Sequence, residues 1–198
     1  PVAEEAYKWT VPPEKAPEKG EIVEIDFEKG VPQKINKKKM DFVSLVSTLN
    51  KLGGKHGVGR KDMIENGLYG NKFRWVYESP AAEILITSHK ELEKVVLPKQ
   101  SLYFKEQVVD KKWAELAYNS FWYSPLMEGL NAFIRETQQY VTGSVTLKLY
   151  KGNVQIVKRS SPNSLIKSVA KDVKDMVPFG YEEYLFLHTH PEHIKEVL

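Results

Sequence analysis

Between Ser144 and Arg159 the chain writes the same alternation twice, SVTLKLY and then VQIVKR, with only a Lys-Gly-Asn turn between them. A period of two sends Val145, Leu147 and Leu149 to one face and Thr146 and Lys148 to the other, and the short glycine-containing turn makes antiparallel pairing the natural geometry. A second segment, EIVEIDFE, repeats the pattern: Val23, Ile25 and Phe27 stand against Glu24, Asp26 and Glu28. Lys29-Gly30 and then VPQKI follow, which predicts another hairpin, with Pro32 tolerated only at an edge. The Lys37-Lys38-Lys39 run reads as a solvated turn. Strands of this kind have one face for water and one that must be covered.

Helical segments supply the cover. Asp41 is placed to cap a helix in which Phe42, Leu45, Val46, Leu49 and Leu52 recur at steps of three and four, and Gly53-Gly54 is expected to end it in the left-handed conformation. Ser79-Pro80 reads as N-cap and first helical residue, with Ala82, Leu85, His89 and Leu92 near one face. Gln107 to Asn119 carries Val108, Val109, Trp113, Leu116 and Ala117 as a stripe. Ser124-Pro125 opens a further helix along Leu126, Leu130, Phe133, Ile134 and Val141, closed by Gly143. Gly57 to Glu65 turns extended, and Asn71 to Tyr77 alternates through Phe73, Trp75 and Tyr77, so two strands joined by a Gly67 to Gly70 turn are expected. No strict strand–helix–strand repetition and no internal repeat appears. The fold class is therefore α+β, an antiparallel sheet with several packed helices.

Composition narrows the function classes only by exclusion. The 198 residues suffice for a self-sufficient core. With 29 Lys+Arg against 26 Asp+Glu, the net charge of +3 makes no case for nucleic acid or a membrane surface. No cysteine is present, which removes disulfides, thiolate metal sites and cysteine nucleophiles and fits a reducing, cytoplasmic setting. No apolar run is long enough to span a bilayer, and PVAEEAYKWT lacks the build of a signal peptide. Pro1, Pro12, Pro13 and Pro17 give residues 1–20 the look of a connector, from which something upstream is expected to have been removed.

Three constellations invite chemistry. Gly53 to Arg60, GGKHGVGR, suggests a phosphate loop, but it fits neither standard glycine spacing and follows a helix where a phosphate loop would precede one. A helix cap and tight turn explain it better. Glu65, Tyr77 and Glu78 lie on the two strands flanking the Gly67 turn, where a carboxylate and a phenol can converge on one polar ligand; on residue types alone, solvent-facing side chains are the commoner outcome. His188, His190 and His193 form H-x-H-x-x-H, read as a surface cluster more readily than as a metal site, and no metal is expected. Serine-hydrolase and common zincin motifs are absent. Phe121-Trp122-Tyr123 reads as core or interface packing.

The stretch GKHGVGRKDMIENGLYGNKFRWVYESPAAEIL, Gly54 to Leu85, resembles the C-terminal domain of argininosuccinate synthases, with G-K-H-G-V-G-R, an I-E-N strand and a Y-E-x-P-A segment in the same order. The likeness extends over Tyr7 to Leu165. It implies an ATP-dependent ligase of arginine biosynthesis that joins citrulline and aspartate, releasing AMP and pyrophosphate. It also implies an α+β synthetase and multimerisation domain, a homotetramer in the family. ATP, with Mg, would be bound by an N-terminal nucleotide domain that nothing here matches, so the chain alone is expected to be inactive and to bind no cofactor. The resemblance assigns citrulline binding to Glu65 and Tyr77 and no catalytic residue. Gly67 and Trp75 depart from the family pattern, which leaves a non-catalytic scaffold as the alternative. The expected layout is a connector over 1–20, the domain body over 21–165 and a divergent segment over 166–198 with oligomerisation as its candidate role.

Overall fold

A computed structural model describes residues 2–67 and 69–166. Pro1, Leu68 and the histidines His188, His190 and His193 lie outside the described residues, as does nearly all of the divergent segment.

The alternating segments form strands as they predict, and Lys38–Lys39, read as part of a turn, adds a short edge strand. Strands β1 (Glu21–Glu28), β2 (Val31–Ile35), β3 (Lys38–Lys39), β6 (Gly143–Tyr150) and β7 (Asn153–Ser160) make one antiparallel sheet in the order β3-β2-β1-β6-β7. The three tight hairpins of this sheet each turn through two residues with positive φ, Lys29 and Gly30 at 49° and 78°, Asn36 and Lys37 at 50° and 68°, Lys151 and Gly152 at 43° and 82°. That twist matches the twist of the paired strands. Pro32 occupies a part of β2 that β3 does not pair, so its missing N–H costs no ladder bond. Val157 faces out by alternation with the inward Val154 and Ile156, and the register slips beside it: Thr146 pairs with Lys158 but Leu147 with Ile156.

One face of this sheet is apolar and covered. Val23 and Ile25 on β1 and Val145, Leu147 and Leu149 on β6 are fully buried beneath α1 (Phe42–Lys55) and α2 (Pro80–Val96). Leu45 and Leu49 come from α1, and Ile84, Leu92 and Val96 from α2. Asp41 caps α1 as expected, its side chain accepting from Ser44 N at 3.0 Å.

Several expectations are corrected. Gly53 and Gly54 lie inside α1 and do not end it; a Cβ at Gly54 would sit 2.3 Å from the Trp9 carbonyl and one at Gly53 2.7 Å from Pro80 Cβ, so close approach selects glycine there. The left-handed residues come later, Gly57 at φ 71° and Gly59 at φ 89°. On α2 the buried face runs through Ala81, Ile84, Ser88, Leu92, Glu93 and Val96, with Ala82 exposed, and Ser79 occupies the N-cap without donating or accepting a side-chain cap bond. The helix expected from Gln107 starts earlier, as α3 (Lys99–Phe104), a π-turn over Lys105–Val109 and α4 (Asp110–Tyr118). The wider π-turn buries Lys105 and Val109 and leaves Val108 exposed, which a uniform 3.6 period does not anticipate. Helix α5 (Pro125–Gln138) opens under a true Ser124 cap, yet Met127 is its buried residue where Leu126 was expected, and it ends at Gln138, well before Gly143. Phe121, Trp122 and Tyr123 are 57%, 48% and 95% exposed, so of the expected core or interface packing the core half does not hold; Trp122 does stand edge-on to Trp113.

Residues 2–20 pack onto this body. Ala16 and Thr10 are buried, Val11 N donates to Gly54 O, and Glu18 pairs with Lys151.

Candidate ligand site on the two-stranded ribbon

Strands β4 (Arg60–Asn66) and β5 (Lys72–Glu78) form a separate antiparallel ribbon that hydrogen-bonds to no other described strand. Its base is set by Gly59. There the chain takes φ 89° and passes so close to α2 that a Cβ would lie 2.5 Å from Pro80 N, while Ser79 N donates to Gly59 O. At the far end Gly67 N donates to Asn71 O and Gly70 takes φ 80°. The register pairs Lys61 with Tyr77, Met63 with Trp75 and Glu65 with Phe73. Because side chains alternate, all six share one face. Arg60, Asp62, Ile64, Arg74, Val76 and Glu78 share the other, where Arg74 clasps Asp62 bidentately at 2.7 and 2.8 Å.

Glu65 and Tyr77 converge as the sequence suggests. Tyr77 Oη donates to Glu65 Oε1 at 2.8 Å, spanning the Met63–Trp75 pair between them. The hydrogen bond, helped by some burial and the carboxylate's charge, holds the phenol above its ordinary pKa, so it stays a donor through the neutral range. Among the described residues Tyr77 is the hydrogen-bond partner of Glu65, which leaves Oε2 to accept from a cationic ligand group. Tyr77 is 42% and Trp75 51% exposed, so the face is open to solvent.

Glu78 does not join them. It lies on the opposite face and takes hydrogen bonds from Lys8 N, Trp9 N and Thr10 N at 2.6, 2.9 and 2.7 Å and from Thr10 Oγ1 at 2.7 Å. Burial pushes its carboxyl pKa up, but the Lys8, Trp9 and Thr10 donors pull it below the usual carboxylate range. A depressed folded pKa gives a contribution that is complete above the unfolded value and is lost as pH falls through the folded one. Anchoring of residues 8–10 is therefore expected to hold above about pH 4.3 and to weaken in more acid solution. Amide exchange at Lys8, Trp9 and Thr10, followed from pH 6 to pH 3 and corrected for intrinsic rates, checks this.

Two further groups were not legible beforehand. Arg60 is partly buried beneath Glu4 and Tyr7, its guanidinium 3.6 Å from the Tyr7 ring. Under α2 a charged network links Glu93, fully buried, to Lys105 Nζ at 3.2 Å and to Gln138 Nε2 at 2.6 Å, and Lys105 to Asp110 at 2.9 Å. In the sequence Glu93 sits in a Lys-Glu-Leu-Glu-Lys run that looks solvated; only its place one residue from Leu92 on the corrected stripe hints otherwise.

The Gly53 to Arg60 loop is unsuited to a triphosphate. His56 N, Gly57 N and Val58 N donate to Gly53 and Gly54 carbonyls, and Gly57 and Gly59 are walled by Val11, Pro13 and Pro80. No group of acidic or histidine ligands suited to a metal occurs among the described residues, and no described helix is long and apolar enough to cross a membrane.

An antiparallel sheet covered by helices, carrying a separate two-stranded ribbon with a paired carboxylate and phenol, defines an α+β domain. Residues 1–177 match the Arginosuccinate synthase C-terminal domain family. The chain is 54% identical over 162 residues to the argininosuccinate synthase of Archaeoglobus fulgidus, covering 82% of this chain and 41% of that protein. It is 49% identical over 177 residues to that of Carboxydothermus hydrogenoformans, covering 89% of this chain and 42% of that protein. The chain belongs to the argininosuccinate synthase family, as a C-terminal domain, and spans about two-fifths of the length of these curated relatives.

Proposed function

We infer that the chain serves as the C-terminal part of a ligase that joins citrulline and aspartate at the expense of ATP, forming argininosuccinate, AMP and pyrophosphate in the cytoplasm. The observation that carries this reading is the Tyr77–Glu65 hydrogen bond on an open ribbon face, inside a domain of this family. Glu65 takes the ammonium group of citrulline and Tyr77 a second polar group, so the pair orients the substrate and transfers no proton to the reacting atoms. ATP with Mg belongs to a nucleotide-binding part of the enzyme, because the glycine loop here has spent its amides internally. The domain also contributes contacts to a homo-oligomer, a tetramer by family analogy, for which the exposed Phe121, Trp122 and Tyr123 supply apolar surface.

The purified chain alone is expected to release no pyrophosphate from ATP in the presence of citrulline and aspartate. Substituted for the matching portion of the Archaeoglobus fulgidus enzyme, it is expected to support argininosuccinate formation. In that chimera Glu65→Gln and Tyr77→Phe are expected to raise KM for citrulline with little change in kcat. A folded chimera that forms no argininosuccinate contradicts the reading and favours a scaffold that has kept the fold alone.

A further inference from the structure

A two-stranded ribbon is marginal in water by itself, and this one leaves Met63, Ile64, Phe73, Trp75 and Tyr77 exposed. Its orientation depends on what grips its base. Lys61 pairs with Glu83 of α2 at 2.7 Å, but a far denser set of bonds runs to the segment before the sheet. Arg60 and Glu78 are register partners at the base of the ribbon. Arg60 donates to both carboxylate oxygens of Glu4 at 3.1 and 2.7 Å and through Nε to Thr10 Oγ1 at 3.0 Å. Thr10 Oγ1 in turn donates to Glu78, which also collects the backbone amides of residues 8–10. A continuous relay thus runs Glu4, Arg60, Thr10, Glu78, closed across both strands. The segment is itself fixed to α1, since Val11 N donates to Gly54 O.

We propose that Arg60 and Glu78 are positioning residues: through them residues 4–10 act as a strap that sets the attitude of the ribbon and hence the place of Tyr77, the neighbour of Glu78 on β5. Neither touches the ligand face, which lies on the other side of the ribbon. The strap transmits any shift of residues 4–10 to the Glu65–Tyr77 pair, so movement of that segment tunes affinity for the amino-acid ligand without a change in the contacting residues. This inference rests on the citrulline reading for its functional consequence, but its mechanical content stands apart from it.

The test uses the full 198-residue chain, with amide exchange and a citrulline titration followed by NMR. Glu78→Gln puts an amide donor where four donors converge, and Thr10→Val cuts the relay with little change of shape; Thr10→Ser keeps the hydroxyl. Glu78→Gln and Thr10→Val are expected to speed exchange over residues 60–66 and 72–78 by about tenfold or more, and to leave β6 and β7 unchanged. Both are expected to raise the citrulline Kd by about fivefold or more, with Thr10→Ser close to the parent. Tyr77→Phe should weaken citrulline without altering exchange at residues 8–10. Unchanged ribbon exchange in Glu78→Gln and Thr10→Val overturns the strap, whatever citrulline does. Loosened ribbons with an unchanged citrulline Kd overturn its positioning role while Tyr77→Phe still weakens binding. If Tyr77→Phe leaves the titration unaltered, the citrulline reading fails, and the exchange result still decides the strap.

Discussion

Lys105→Met is expected to destabilise the domain by about 3–5 kcal/mol, because it removes the counter-charge from a buried carboxylate. Glu93 is fully buried and its Oε2 lacks a hydrogen-bond partner, with His89 Nδ1 no nearer than 3.7 Å, so removing the ammonium 3.2 Å from Oε1 takes away its nearest cation. Burial alone pushes the Lys105 pKa down, but Asp110 and Glu93 more than reverse this and hold it above the usual value. A raised folded pKa contributes stability in full below the unfolded value of about 10.4, so the Lys105 contribution in the parent is complete across neutral pH. Replacing both partners, Glu93→Leu with Lys105→Met, is expected to cost much less than Lys105→Met alone, since the buried charge goes and only the part-exposed Asp110 loses its partner. Urea unfolding of the parent, the single variant and the double variant measures the difference; a double variant as unstable as the single would show that volume, and not charge, governs this site.

Gly59→Ala is expected to cost at least about 2 kcal/mol and to disturb the ligand ribbon locally. Two effects add. The residue holds φ 89°, where a Cβ is strained, and that Cβ would lie 2.5 Å from Pro80 N and 2.6 Å from Ser79 C, both backbone atoms that cannot swing away. Since Ser79 N donates to Gly59 O, the displacement reaches the end of β5 beside Tyr77. Thermal unfolding gives the stability loss, and chemical shifts of β5 amides report the local disturbance. Gly129→Ala is the control, as a Cβ there meets nothing within 4 Å and the position is helical; it is expected to be neutral or mildly stabilising.

Much of this architecture is readable from alternation and punctuation. Val23, Ile25, Phe27, Val145, Leu147 and Leu149 face the core because strand periodicity is insensitive to context, and Lys29-Gly30 and Lys151-Gly152 name their turns through positive φ. Helix faces are less legible. A single π-turn at Lys105 to Val109 shifts the stripe, and Met127 in place of Leu126 shows how weakly composition distinguishes adjacent apolar residues. Gly53 and Gly54 mislead because glycine serves both caps and close packing, and only the Trp9 carbonyl and Pro80 reveal which.

The site divides the same way. Glu65 and Tyr77 meet because strand pairing and a shared face follow from local pattern, although naming the ligand needs the family. Glu78, one residue further, was grouped with them from proximity in sequence, yet strand alternation turns it to the other face. Arg60 reaching Glu4, and Lys105 reaching Glu93, are long-range pairings for which neither partner's neighbourhood carries a signal. Such contacts exist only once the elements are assembled.

The central claim, that the open ribbon face carrying Glu65 and Tyr77 holds citrulline, is tested most directly by calorimetric titration of citrulline into the parent chain and into Glu65→Gln and Tyr77→Phe. Saturable binding to the parent, weakened about tenfold or more in each variant as expected for loss of a charge-assisted hydrogen bond, is the predicted result. Identical isotherms for all three proteins would contradict it.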